Sequence, residues 1–276
     1  MSGRRGGQTV MTLTSGEAIL QPKIMEVCNI RIQFDGIVAL DGVSFDIDPR
    51  TILGLIGPNG AGKTTLFNCL SRLCSPDSGD IFFQGKSILQ RKAHRIVDAG
   101  IGRTFQNLAL FNSLSVLDNV RTGTHSRVRG NFISDACYLP WTGRNERLAD
   151  SIAQEAIEYL GLGGVAKRRV ADLPFGTQKR VELARALATG PKLLLLDEPA
   201  CGLNHEEVEE LSSVILQIRR DRGITILLVE HHMSLVMSIS DKVVALNFGR
   251  KIGEGTPAVI QSHPEVIAAY LGPEAA

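Results

Sequence analysis

The sequence predicts an α/β fold with an antiparallel β layer at its N-terminus and an inserted helical subdomain. Three observations predict it. A short apolar run at 51–56 enters a glycine-rich loop and then a helix-like segment at 64–72. Residues 193–196 are consecutive leucines, as expected for a strand covered on both faces. Between about 92 and 190 the apolar spacing is mainly helical.

Taken in order, residues 24–34 and 37–48 alternate apolar and polar positions around the turn Asp35-Gly36, which reads as a pair of antiparallel strands. Residues 79–84 read as a further strand, led by the turn formers Pro76, Asp77 and Ser78. Within the helical stretch, Leu148, Ile152, Ala156 and Leu160 recur every four residues, one face of a helix. After the leucine run comes a helix with Val208, Leu211, Ile215 and Ile218 on one side. Glu206, Glu207, Glu209 and Glu210 stand near its start and Arg219 and Arg220 near its end, charges that complement the helix dipole. Residues 224–229, 242–247 and 250–254 complete the strand set, and no internal repeat is visible.

Composition narrows the function. Apolar residues make up 43% of 276, enough for a substantial core, while 30 basic residues face 29 acidic ones. Such a balance gives no support to a nucleic-acid partner, which calls for a clustered basic excess. No apolar run approaches the ~20 residues of a membrane-spanning helix. Residues 1–22 lack the continuous apolar segment of a signal peptide and read as a flexible cytosolic extension. Cys28, Cys69, Cys74, Cys137 and Cys201 show no C-x-x-C pair and no zinc spacing, which suits reduced thiols. His231 and His232 are adjacent, a poor arrangement for two ligands on one metal.

The chemistry concentrates in two motifs. Residues 57–64 read GPNGAGKT, a phosphate-binding loop of the form G-x-x-x-x-G-K-[ST]. Gly57, Gly60 and Gly62, with Pro58, Asn59 and Ala61 between them, permit a tight loop whose N–H groups turn toward phosphate oxygens. The helix that follows adds unpaired N–H groups and a favourable dipole at Lys63, Thr64 and Thr65. Lys63 supplies positive charge to the outer phosphates, and the Thr64 hydroxyl is a candidate magnesium ligand. The second motif, LLLLDEP, puts Asp197 and Glu198 at the end of a buried strand. Asp197 suits the magnesium shell and Glu198 suits polarising an attacking water, which is the electrostatic equipment phosphoryl transfer needs. ATP and Mg2+ are the implied ligands.

With these motifs in place, residues 24–272 resemble the ABC transporter ATPases. The resemblance implies a P-loop NTPase core over 23–276 with the helical subdomain inserted at about 107–185. In TFQN it puts Gln106 at the position of a glutamine that reaches magnesium and the attacking water. Residues 173–180, LPFGTQKR, stand where the family has its L-S-G-G-Q signature, which completes the site of an opposite subunit through Pro174, Phe175, Gly176, Thr177 and Gln178. CGLN at 201–204 is similar to the loop at the dimer interface, His231 holds the switch-histidine position, and Phe34 matches the aromatic that stacks on adenine.

Within the family the chain most resembles the ATPases of branched-chain amino-acid uptake. FDGIVALDGVSF (34–45), TFQNLALFNSLSVLDNV (104–120), VEHHMSLVMSISD (229–241) and VIAAYLG (266–272) carry that resemblance, and the extra segment 121–146 fits the same group. Related systems for urea, amides or lipopolysaccharide export are the alternatives. The resemblance implies work at the cytoplasmic face of the membrane with a second ATPase subunit, integral-membrane permeases and, indirectly, a solute-binding protein. Trp141 in the extra segment either packs beneath its own loop or meets the permease. The signature departs from the family pattern: Pro174 replaces its Ser, Phe175 its first Gly and Thr177 its Gln. Pro174 has no hydroxyl and no N–H, a deficit that points to pairing with a different cassette.

Overall fold

The computed structural model describes residues 22–105, 108–128 and 140–271. The N-terminal alternation forms a hairpin: β1 (Met25–Phe34) runs antiparallel to β2 (Ile37–Ile47), with Phe34 opposite Ile37. Asp35 and Gly36 both take positive φ, 46° and 85°, the two-residue turn that follows strand twist. The in–out alternation of β1 breaks after Val27, at the first of three register shifts against β2. Met25 and Val27 before the break and Ile30 and Ile32 after it therefore all point inward. β4 (Ser78–Phe83) joins β1 on its other edge, and the sheet order is β2-β1-β4-β5 with β5 at Lys86–Ser87.

The second sheet has six strands in the order β10-β9-β3-β8-β7-β6. They are β3 (Ile52–Ile56), β6 (Ile101–Arg103), β7 (Leu193–Asp197), β8 (Thr225–Val229), β9 (Lys242–Asn247) and β10 (Arg250–Gly255). All pair parallel except β9 with β10. Its apolar strands feed two cores because successive side chains face opposite ways. Leu53, Leu55, Leu193, Leu195, Leu227 and Val229 pack toward the antiparallel sheet and α1 (Lys63–Leu70). Ile52, Ile56, Leu194, Leu196, Ile226 and Leu228 pack toward the remaining helices. That two-sided burial is why no polar residue interrupts 193–196.

Between β6 and β7 the chain forms α2 (Val116–Thr122), α3 (Pro140–Tyr159) and α4 (Phe175–Ala188), which pack on one another. Ile152, Ala156 and Leu160 are buried as their spacing predicts, but Leu148 is half exposed at 50%. The apolar face of α3 is continued instead by Ala149, Ala153 and Ile157, one residue round the helix. The sequence reading also missed β6. Three residues are too few to show a period of two, and only their pairing with β7 makes them a strand.

α5 (His205–Arg222) starts with a capping box, Asn204 and Glu207 bonding each other's backbone N–H, and stops at Gly223 with φ 61°. Ile215 and Ile218 are its fully buried residues, while Val208 and Leu211 pack partly covered beside them. α6 (Met233–Ile239), α7 (Pro257–Gln261) and α8 (Pro264–Leu271) complete the order. Among the described residues no helix is long and apolar enough to cross a membrane. Gln106, most of the 1–22 extension, Cys137 and the side chain of Trp141 lie outside what is described.

Candidate active site

β3 ends at Ile56 and the chain must turn at once into α1. A Cβ on Gly57 would stand 2.4 Å from the Leu246 carbonyl oxygen. One on Gly62, which has φ 98°, would stand 2.6 Å from the Ala39 oxygen. Both positions therefore require glycine, and the loop is pressed between the β9–β10 turn and β2. No side chain caps α1, so its first-turn N–H groups face the loop.

Lys63 is only 5% exposed. It curls back so that Nζ donates to the Gly57 oxygen at 2.6 Å and the Pro58 oxygen at 3.0 Å. Burial lowers its pKa, and the charge of Glu198 opposes that shift. An ammonium held this way, with its donors directed along the loop, is placed to meet an anion. The loop forms the floor of a cleft of about 770 Å3. Ile37, Val38 and Ala39 make one wall, residues 59–65 the floor, and Glu198 and His231 the other wall. Phe34 is 49% exposed on the same hairpin, immediately before its turn, and does not line the cleft.

The parallel sheet brings the acid pair to this cleft. Asp197 closes β7 and is 3% exposed. Burial pushes its pKa up, and the Arg103 guanidinium, the second-largest influence, pulls it back. Arg103 Nη2 lies 3.4 Å from Asp197 Oδ2, while Nη1 donates to Asn68 Oδ1 at 3.0 Å and Ser71 Oγ at 2.6 Å. Its guanidinium also sits 4.6 Å from the centre of the Phe67 ring. Arg103 thus clamps Asp197 to the helix that leads from the phosphate loop. The sequence reading passed over it, although its place immediately before TFQN was a signal.

Glu198 takes a left-handed backbone, φ 46°, rare for a residue with a side chain. Its N–H donates to the Val229 oxygen at 2.9 Å, and its carboxylate turns into the cleft with Oε1 2.7 Å from His231 Nε2. His231 follows Glu230, which is 1% exposed and accepts from the N–H of Ala200 at 2.7 Å and of His231 at 3.1 Å. Glu230 therefore ties the loop after β7 to the loop after β8. Its role is invisible in sequence, because its partners lie on another strand's loop.

The signature residues are elsewhere. Pro174 precedes α4, Phe175 to Gln178 form its first turn, and none of these residues lines the cleft of this chain. Pro174 and Phe175 are exposed. The segment rests on the loop 201–204, where a Cβ on Gly202 would come 2.9 Å from the Phe175 ring. Further along α4, buried Glu182 accepts the Phe105 N–H at 3.1 Å, linking this helix to the residue before Gln106. At the opposite end of the chain, Tyr270 in α8 accepts the Gly57 N–H through its hydroxyl at 2.7 Å.

The donor set suits magnesium. Asp197 offers a carboxylate and Thr64 an exposed hydroxyl, both hard oxygen donors. Among the described residues no group of three acidic, histidine or cysteine side chains is arranged to hold a metal ion by itself. The remaining ligands would come from phosphate oxygens and water, the usual arrangement for Mg2+.

Comparison with known proteins agrees with this geometry. The ABC transporter family profile matches residues 40–201, and a profile described as branched-chain amino acid ATP-binding cassette transporter matches residues 250–275. The chain is 40% identical to the high-affinity branched-chain amino acid transport ATP-binding protein BraF of Pseudomonas aeruginosa, over 90% of this chain and 98% of that one. It is 38% identical to LivG of Escherichia coli K12, of the same description, over the same shares of the two chains. Among solved structures, the ADP conformation of an ATP-binding cassette of an ABC transporter superposes with a TM-score of 0.78 at 30% identity, covering 91% of this chain and 99% of that one. The chain therefore belongs to the ABC transporter family, as one of its ATP-binding cassettes.

Proposed function

We propose that this chain is the ATP-binding and ATP-hydrolysing subunit of a membrane importer for branched-chain or other hydrophobic amino acids, acting at the cytoplasmic face of the membrane. The observation that carries the chemistry is the 2.7 Å contact of Glu198 and His231 across the cleft above the phosphate loop. In this reading the loop N–H groups and Lys63 hold the phosphates. Glu198 orients and polarises the attacking water, and His231 holds the Glu198 carboxylate and faces the outer phosphate. The family resemblance assigns Gln106, which lies outside the described residues, to the same water. Asp197 and Thr64 would hold Mg2+, which would supply charge neutralisation for phosphoryl transfer. The amino-acid cargo is supported by the names of the relatives and by the C-terminal profile match.

Placing the signature on the exposed end of α4, away from the chain's own cleft, supports completion of the site by a second cassette. Pro174 offers that partner neither hydroxyl nor N–H. Losing a hydrogen bond to a charged group weakens closure by about 1.5–3 kcal/mol. Two copies of this chain would carry that deficit twice, which supports pairing with a different cassette on the permeases.

The test of the chemistry is Glu198→Gln in the assembled complex, which should keep ATP binding and lose most turnover. Near-normal hydrolysis would overturn the role. Cargo is read by stimulation: a solute-binding protein loaded with leucine should raise ATPase activity, and one loaded with urea should not. A substrate-stimulated complex holding two copies of this chain alone would overturn the mixed pair.

A further inference from the structure

Tyr270 stands in the C-terminal helix, far along the chain from the acid pair and the phosphate loop, yet its hydroxyl accepts the Gly57 N–H at 2.7 Å. From the same residue, the Gly57 carbonyl accepts the Lys63 ammonium at 2.6 Å. Gly57 is also pressed on a third side, where a Cβ would lie 2.4 Å from the Leu246 oxygen. The helix that carries Tyr270 is fixed to the sheet through Val266, which is 3% exposed and closes on Gly253 of β10 beside Ile260 of α7. Tyr270 as a whole is 38% exposed, yet its hydroxyl is held on the Gly57 N–H.

We infer that Tyr270 is a positioning residue for the nucleotide phosphates. Its hydroxyl fixes the Gly57 N–H, and with it the carbonyl that steers Lys63. This assigns a task to the helix Pro264–Leu271, which lies within the segment matched at 250–275: it is a strut under the phosphate loop. The inference rests on the reading of that loop as an ATP site.

The experiment is Tyr270→Phe in the full chain, which keeps the ring and removes the hydroxyl. ADP affinity is measured by calorimetry, and KM and kcat for ATP by steady-state hydrolysis in the assembled complex. Loss of one ordinary hydrogen bond should weaken ADP binding and raise KM by about five-fold. The phosphates are gripped in ground and transition states alike, so kcat should hold. A merely structural role would lower kcat through the active fraction and leave KM unchanged. That pattern, or unchanged KM and ADP affinity, overturns the inference. Amide exchange gives an independent reading: the Gly57 N–H should be protected in the wild type and lose protection in Tyr270→Phe. A rapidly exchanging wild-type Gly57 overturns the tether whatever the variant does. A wild type that binds no ADP sinks the ATP reading itself, whereas a binding wild type with an unaltered variant sinks only the strut.

Discussion

Arg103→Met tests whether the buried acid of the candidate site depends on a single clamp. The substitution keeps an apolar stem and removes the guanidinium. Asp197 is 3% and Arg103 14% exposed, so the pair sits in a poorly solvated place and its loss is weakly screened. Breaking such a pair leaves an uncompensated buried carboxylate, at a cost of about 3–5 kcal/mol. The 3.4 Å separation is long for an ion pair, which favours the lower end. About 3 kcal/mol corresponds to a melting-temperature drop of roughly 6–12 °C for a domain of this size.

The pH dependence has a definite sign. Burial raises the Asp197 pKa and Arg103 restrains the rise. A carboxyl with a raised folded pKa holds more proton folded than unfolded, so stability falls as pH climbs through the interval above its ordinary value. Without Arg103 that interval extends upward. The gap between wild type and variant should therefore be smaller at an acidic pH near the ordinary carboxylate value than at neutral pH. Urea denaturation at the two pH values, without nucleotide or magnesium, measures it. A gap below about 1 kcal/mol, the ceiling for an exposed ion pair, or one independent of pH, would refute the clamp.

Lys63→Ala should weaken ATP binding by roughly ten- to hundred-fold, the value of hydrogen bonds to a charged group. The apoprotein should melt no lower, because burial already disfavours the Lys63 charge; unchanged ATP affinity by calorimetry counts against the assignment. Gly62→Ala forces a methyl to 2.6 Å from the Ala39 oxygen at φ 98°. It should abolish nucleotide binding and cost at least ~1–3 kcal/mol of stability, typical of a residue held in a disfavoured backbone region. A variant that binds ATP normally would show the loop to be far more pliant than its packing implies.

What the sequence by itself determined is local. Asp35-Gly36 names its own turn, because such a pair accepts the positive φ values a two-residue hairpin needs. GPNGAGKT names its own chemistry, because glycine spacing, lysine and threonine serve a phosphate within one turn of chain. The leucines at 193–196 announce a strand buried on both faces, and the structure divides them between two cores. Tertiary structure decided everything that depends on partners distant in sequence. β6 exists because β7 lies beside it, and Leu148 is exposed because α3 turns its alanine row inward. Arg103 meets Asp197 only through parallel pairing of β6 with β7, which sets neighbouring strand ends side by side. Glu230 reaches Ala200 in the same way, across the β7–β8 pair. Tyr270 reaches Gly57 across nearly the whole chain. Periodicity and motif report what a residue does within a turn or two of backbone. Which side chains meet across strand ends follows from strand order, and no local pattern encodes that order.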